Sequence, residues 1–305
     1  MHGHNARLRF GRNTTVAARP ELLLHPRPAI GAAWMILATL VGSIIDVSVK
    51  ALQDGFDTPQ IVLLRLLCSL PFVVLFAQLG GGLGSIRPKR PAWHVLRSFA
   101  AAGATFGFFY ALGELPLMLC VTIGFAAPLI IALLSRPFLG EVVGARRWLG
   151  IIVGFVGVLL ALQPGTAVWH PAMLAVLAST VCWAVLALSA RRIGGDEPTG
   201  AMVVFTIPVS LIVALTMTLG DWVAPTATQW ALFALAGFCG ATVHYCVVYA
   251  YRATRAAVVA PMEYTALLWA ALLGFLFWGE VPTGWTVVGA AVIILGGLIV
   301  LRENR

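Results

Sequence analysis

The chain has 305 residues, of which 60% are apolar and only 10% are charged, and its mean hydropathy is +0.93. A water-soluble domain cannot hide this much apolar surface, so the composition indicates an integral membrane protein. It excludes collagen-like, disordered and disulfide-rich secreted proteins. A formal net charge of +8 would favour nucleic-acid binding in a soluble protein, but the positions of the charges indicate a membrane-orientation signal and no nucleic-acid partner.

The first 30 residues carry five arginines and no long apolar run, so we expect no cleavable signal peptide and predict a disordered cytoplasmic tail over 1–30. Ten apolar stretches follow, each near the roughly 20 residues that a helix needs to cross a bilayer. The predicted transmembrane helices are 31–52, 59–79, 92–112, 115–135, 147–163, 171–190, 199–219, 229–251, 257–278 and 284–301.

Basic residues alternate with these helices. If the N-terminus is cytoplasmic, 18 of the 20 basic residues fall at predicted inner segments, and the exceptions, Lys50 and Arg65, lie within helices. All charged residues of the predicted outer loops are acidic. This positive-inside pattern predicts a multi-pass protein with both termini in the cytoplasm, in a bacterial inner membrane, with the lipid bilayer as its partner.

The chain also repeats itself at a spacing of 139 residues. Tyr110-Ala111 recurs as Tyr249-Ala250, and Gly140-Glu141-Val142 recurs as Gly279-Glu280-Val281. Each repeat, over 31–163 and 171–301, holds five predicted helices. Because five is odd, the repeats would be inverted in the membrane, with Glu141 at the inner face and Glu280 at the outer face. Inverted repeats are typical of secondary transporters that work by alternating access.

Four stretches carry a resemblance to a known family. They are Gly42-Ser-Ile-Ile-Asp-Val-Ser-Val-Lys50, Leu63-Leu-Arg-Leu-Leu67, Phe125-Ala-Ala-Pro-Leu129 continuing into Leu139-Gly-Glu141, and Ala260-Pro-Met-Glu-Tyr264 continuing into Trp278-Gly-Glu280. With these stretches the chain resembles the drug/metabolite transporter superfamily, in particular its EamA-type ten-helix branch. The resemblance covers about 33–301. It implies an all-α fold and a secondary active or facilitative carrier of a small polar metabolite. Such a metabolite would be an amino acid, a vitamin such as riboflavin, a nucleotide-like cofactor or S-adenosylmethionine. The alternative is a non-catalytic membrane subunit or a lipid-carrier flippase component.

Charges inside membrane helices are costly and mark structural pairs or functional sites. Asp46 and Lys50 lie four residues apart on one helix face and can pair. With Arg65 at a similar depth, they form either a structural charged network or a charged wall of the substrate path. Glu263 follows Pro261, which can kink its helix. It is a candidate substrate or proton site, and pairing with Arg252 or Arg255 is the structural alternative.

Further candidates for substrate binding lie in the other helices. His244 titrates near physiological pH, so it is a candidate proton-linked group, although a hydrogen-bonded core histidine is the simpler interpretation. Aromatic side chains could line a central cavity and stack on a planar ligand, although each could equally be a packing residue. These aromatic candidates are Trp34, Tyr110, Trp183, Tyr245, Tyr249, Tyr264 and Trp269.

Gly150 and Gly154 form a small-residue face that fits either helix packing within the chain or a homodimer contact. The five cysteines show no metal-ligand spacing and are expected to pack in apolar surroundings. No phosphate-binding loop, nucleophile motif or metal-ligand cluster is present in the sequence. We therefore expect no enzymatic activity, no cofactor and no metal.

Overall fold

The computed structural model describes residues 28–81, 86–139, 144–163, 169–193, 197–220, 222–253 and 262–302. These residues form helices and contain no strand. The helices are α1 (Pro28–Leu52), α2 (Thr58–Gly81), α3 (Pro91–Glu114), α4 (Leu117–Gly124), α5 (Ala127–Leu139), α6 (Ala145–Leu162), α7 (Ala172–Ile193), α8 (Thr199–Val204), α9 (Pro208–Thr218), α10 (Ala227–Ala253), α11 (Thr265–Trp278) and α12 (Gly284–Arg302).

The prediction of an all-helical protein with ten spans is confirmed. Six stretches are long and apolar enough to cross a membrane, and four shorter apolar helices bring the number among the described residues to ten. Helices α4 and α5 together make the fourth span, and α8 and α9 make the seventh. The first span starts earlier than predicted, because Pro28–Ile30, assigned to the disordered tail, belong to α1.

Two of the spans are interrupted near their middle, which the sequence prediction missed. The fourth span breaks at Phe125 and Ala126, and the seventh breaks between Val204 and Pro208. A proline follows each break: Pro128 is the second residue of α5, and Pro208 is the first residue of α9. Proline lacks a backbone N–H, so it is tolerated in the first turn of a helix and favours a new start there.

A third interruption lies in the ninth span. Met262 and Glu263 are helical, Tyr264 is a turn, and α11 begins at Thr265. Adding 139 to Phe125 gives Tyr264, so the breaks in the fourth and ninth spans fall at equivalent positions of the repeat. The two rings touch, with centroids 5.1 Å apart. Pro261, the predicted cause of a kink, lies outside the described residues.

Helix packing follows the internal repeat. Helix α1 packs on α10, and its repeat counterpart α7 packs on α3, the counterpart of α10. Likewise α5 packs on α7, while their counterparts α11 and α1 pack together. Exchanging the two halves therefore reproduces these helix pairs, as expected for two halves related by an approximate twofold axis.

Helices α6 and α12 pack so closely that their glycines meet backbone to backbone. A Cβ atom on Gly157 would lie 2.8 Å from the carbonyl oxygen of Gly289, and one on Gly296 would lie 2.7 Å from that of Gly150. These two contacts are repeat counterparts of each other. The glycine face of α6, which the sequence left open between internal packing and a dimer contact, is thus occupied within the chain.

Candidate functional site

A cavity of about 1200 Å³ lies between the two halves of the bundle. Its wall draws on both halves, from Asp46 and Arg65 near the middle of the bundle to Ala190 and Gly200 near one end. Ligand pockets in proteins are commonly several hundred cubic ångströms and combine apolar walls with a few polar groups. This cavity is large enough for a metabolite of that kind.

All three helix interruptions border this cavity. Gly124, Phe125 and Pro128 contribute from the fourth span, Thr206 and Ile207 from the seventh, and Glu263 from the ninth. A helix break at membrane depth frees backbone N–H and C=O groups, which is tolerated only where they face protein or a water-filled space. Broken helices around a central cavity are also how many secondary transporters build their binding sites.

Aromatic side chains form much of the cavity wall. They are Phe76, Phe108, Phe109, Phe125, Trp183 and Tyr249. Among the predicted aromatic residues, Trp183 and Tyr249 therefore reach the cavity directly. Trp34 stacks against Tyr249, with ring centroids 5.4 Å apart and an angle of 25° between the planes. Tyr264 packs on Phe125 and thus stands behind the wall.

The remaining predicted candidates lie elsewhere. Tyr110 borders a separate pocket of about 240 Å³ with Asp57 and Gln60. The indole nitrogen of Trp269 is buried without a hydrogen-bond partner, and this residue does not line the cavity. His244 and Tyr245 lie in α10, but their side chains are outside the described part of the structure. The alternative that Glu263 pairs with Arg252 or Arg255 falls on undescribed side chains as well.

Among the charged residues Asp46, Lys50 and Arg65, Lys50 has a partner that the sequence did not indicate. Lys50 forms an ion pair with Glu280, with 2.8 Å between Nζ and Oε1. Lys50 also donates a hydrogen bond to the Leu115 carbonyl, and Glu280 accepts one from the Leu117 backbone N–H. Lys50 is thus bound to the opposite repeat, and only Asp46 and Arg65 face the cavity. Sequence spacing missed this pair because its members are 230 residues apart.

Arg97 is a cavity residue that the sequence prediction assigned to an inner segment. It is 5% exposed inside α3 and also contributes to the cavity wall. Its guanidinium donates hydrogen bonds to the Leu186 carbonyl, the Ser189 hydroxyl and the Met202 carbonyl. Arg97 therefore ties α3 to α7 and α8. The sequence could have indicated this buried position, because Arg97 is the sixth residue of the predicted helix 92–112.

A second charged contact lies where α3 begins and α7 ends. Glu197 accepts hydrogen bonds from the Lys89 backbone N–H through both carboxylate oxygens, each at 3.1 Å. Its Oε2 lies 3.3 Å from Nε2 of His94, a buried residue whose ring touches Phe205. Burial opposes ionisation of Glu197, but these hydrogen bonds outweigh it, so the pKa of Glu197 is lowered from its ordinary value.

A helical bundle with a central cavity bordered by broken helices defines a multi-pass membrane carrier. The family model of the EamA-like transporters matches residues 29–163 and 170–302. The chain therefore belongs to the EamA-like transporter family, which confirms the resemblance to the drug/metabolite transporters.

Individual proteins are similar along nearly the whole chain. A riboflavin transporter of Rhizobium johnstonii is 32% identical over 304 residues, covering 95% of each chain. An S-adenosylmethionine uptake transporter of Rickettsia bellii is 27% identical, covering 91% of this chain and 95% of that protein. A solved crystal structure shares the fold, with a TM-score of 0.61 and 21% identity, covering 91% of this chain and 99% of that one.

These matches support transport of a small metabolite and do not favour the alternative of a membrane subunit or flippase component.

Proposed function

We propose that this protein carries a metabolite that combines a flat heteroaromatic ring with a polar or charged chain, through the cavity between its two halves. The observation that carries the proposal is the cavity itself, with aromatic side chains and charged groups of both signs in one wall. Riboflavin and S-adenosylmethionine, named for the similar transporters, both have this chemistry. Aromatic side chains can stack on the ring, and charged groups can orient the chain.

The two halves, 31–163 and 171–301, act as inverted repeats that rock around this cavity. Their symmetric packing supports this role, because equivalent halves can exchange between two equivalent arrangements. The positive-inside pattern supports an orientation with both termini in the cytoplasm of a bacterium. The end of the bundle that holds Glu280 then faces outward, and the end that holds Glu197 faces the cytoplasm. A homodimer is not needed for the cavity, since both walls come from one chain.

Glu263 and His244 are the proposed proton-linked groups. The position of Glu263, in the cavity wall beside a helix break, supports this role. Coupling would appear as flux that depends on a pH gradient and becomes independent of it in Glu263→Gln.

Flux into proteoliposomes tests the proposal. Purified protein would be reconstituted and offered radiolabelled riboflavin, S-adenosylmethionine, free amino acids and nucleosides. We expect saturable flux of at least one ring-bearing metabolite with a polar chain. Trp183→Ala, in the cavity wall, should raise KM, whereas Trp148→Ala, exposed on α6, should leave KM unchanged. Flux of free amino acids alone would contradict the proposed substrate class.

A further inference from the structure

Arg65 and Arg97 both line the cavity, but only the guanidinium of Arg97 donates hydrogen bonds to other described residues. The guanidinium carbon of Arg65 lies 5.1 Å above the centre of the Phe109 ring, and its Nε is buried without a hydrogen-bond partner. In the described residues, no hydrogen bond or ion pair reaches this side chain. A guanidinium held at membrane depth without acceptors is costly, so the cavity must supply acceptors from water or from a ligand.

Asp46 lines the same cavity from helix α1. Its charge interacts electrostatically with that of Arg65, yet the described part of the chain shows no direct ion pair between them. No protein hydrogen bond to the Asp46 carboxylate is present among the described residues either. An acidic acceptor and a basic donor, whose charges interact, are therefore both open to the same cavity.

Arg97 shows what a structural arginine looks like in this protein. Its terminal nitrogens donate to two backbone carbonyls and one hydroxyl, so the protein uses them to tie helices together. Arg65 has no such acceptors in the described structure. This difference indicates that the guanidinium of Arg65 donates hydrogen bonds to a molecule that enters the cavity.

The position of Arg65 is fixed without using its donors. The Phe109 ring supports one face of the guanidinium, and the Phe109 carbonyl accepts a hydrogen bond from Gln53 at 2.7 Å. Gly240 leaves room on the other helix, because a Cβ atom there would lie 3.1 Å from an Arg65 terminal nitrogen. Cation–π support holds a guanidinium in place while its edge stays available for hydrogen bonds.

We infer that Arg65 and Asp46 together recognise a substrate group in which a hydrogen-bond acceptor lies beside a donor. This inference rests on the proposed function and names the recognition chemistry of the same site. In riboflavin the group is a ring carbonyl next to the imide N–H. In S-adenosylmethionine it is the carboxylate next to the ammonium. In both cases Arg65 donates to the acceptor, and Asp46 accepts from the donor.

The test compares each substrate with an analogue that lacks one half of this group. Proteoliposome flux would be measured for riboflavin against 3-methylriboflavin, which lacks the imide N–H, in the wild type and in Asp46→Ala. It would also be measured for S-adenosylmethionine against its decarboxylated form, in the wild type and in Arg65→Gln. Arg146→Gln, an exposed arginine at the start of α6, is the matched control.

We expect Arg65→Gln to raise KM about 10- to 100-fold for the carried substrate, because a hydrogen bond to a charged group is lost. The wild type should have a higher KM for the analogue than for the substrate that it carries. Asp46→Ala should remove this difference for riboflavin and 3-methylriboflavin. Arg65→Gln should remove it for S-adenosylmethionine and its decarboxylated form. Arg146→Gln should keep the wild-type KM. The substrate–analogue pair that shows the difference in KM identifies whether the imide or the amino-acid group is recognised.

Unchanged KM in Arg65→Gln, or a wild type that carries a substrate and its analogue equally well, would overturn the inference and leave the proposed function standing. A wild type that carries neither riboflavin nor S-adenosylmethionine would overturn the inference, and a wild type that carries no ring-bearing metabolite at all would overturn the proposed function as well. If Arg65→Gln does not fold, Arg65→Lys keeps the charge but not the planar fork, and unchanged KM there would overturn the inference. The analogue comparison in the wild type needs no variant at all.

Discussion

The two ends of the helical bundle are built differently. At the end that holds Glu280, the Lys50–Glu280 ion pair joins the repeats, and its hydrogen bonds reach the turn between α3 and α4. At the same end, side chains such as Leu52, Leu112 and Leu117 are fully buried. At the end that holds Glu197, cavity-lining residues extend to Ala190 and Gly200. The molecule is thus packed shut at one end, while its cavity approaches the other.

This difference shows what alternating access requires of the chain. To expose the cavity at the Glu280 end, the protein must separate Lys50 from Glu280 and break the apolar contacts of the side chains buried at the same end. The Glu197 end is held by contacts of another kind, in which Arg97 and Glu197 mostly engage backbone groups. Those contacts keep α3, α7 and α8 together around the cavity rather than across it.

The largest effect is expected from removing Arg97 at the Glu197 end. Arg97→Met keeps the side-chain length but removes the donor of the Met202 carbonyl in a buried site, while the Leu186 carbonyl keeps its hydrogen bond from the Ser189 hydroxyl. We expect the free energy of unfolding to fall by roughly 3 kcal/mol, because unpaired buried polar groups are costly. Denaturant titration of the purified protein in detergent measures this. A loss below about 0.5 kcal/mol, the range of ordinary surface substitutions, would contradict the structural role of Arg97.

A smaller loss of stability, but a larger change of conformation, is expected at the Glu280 end. Lys50→Met leaves Glu280 without its ion pair, and we expect roughly 2 kcal/mol of destabilisation because the pair is only partly buried. The Glu280 end should also open more often. Cys120, which is fully buried in α4, reports this as faster reaction with a thiol reagent once the other four cysteines are replaced.

The control for this substitution is Lys50→Arg, which keeps the charge and should keep Cys120 slow to react. Equal reactivity of Cys120 in Lys50→Met and in the wild type would show that the ion pair does not hold this end closed.

The smallest effect is expected from pH at the Glu197 end. Because the pKa of Glu197 is lowered on folding, its contribution to stability is present above the ordinary carboxyl pKa of 4.5 and is lost as pH falls through the folded pKa. Thermal unfolding measured from pH 7 down to about pH 3 should therefore show a fall in stability. Glu197→Gln should flatten that fall, and an unchanged pH profile in this variant would remove Glu197 as its source.

Much of the fold could be predicted from the sequence, because apolar length and charge alternation are properties of single segments. The ten spans are confirmed in this way. The interruptions at Phe125 and near Thr206 were missed because hydropathy remains high across them. Only Pro128 and Pro208 signalled a new helix start there, and a proline alone does not distinguish a break from a kink.

The candidate site was harder to predict than the fold. The sequence favoured Glu263, Trp183 and Tyr249, and all three line the cavity. It could not separate Lys50 from Asp46, since the partner of Lys50 comes from the other repeat. Nor could it distinguish Arg65 from Arg97, because what differs is the set of acceptors that tertiary packing brings to each guanidinium.

If substrate passes through the cavity only when the Glu280 end opens, a covalent link across that end must stop transport. Lys50→Cys and Glu280→Cys would be combined in a chain lacking the native cysteines, and a short thiol cross-linker would join the two positions. We expect the cross-linked protein in proteoliposomes to lose substrate flux, and a cleavable linker to restore the flux on reduction. Full flux through the cross-linked protein would show that this end need not open.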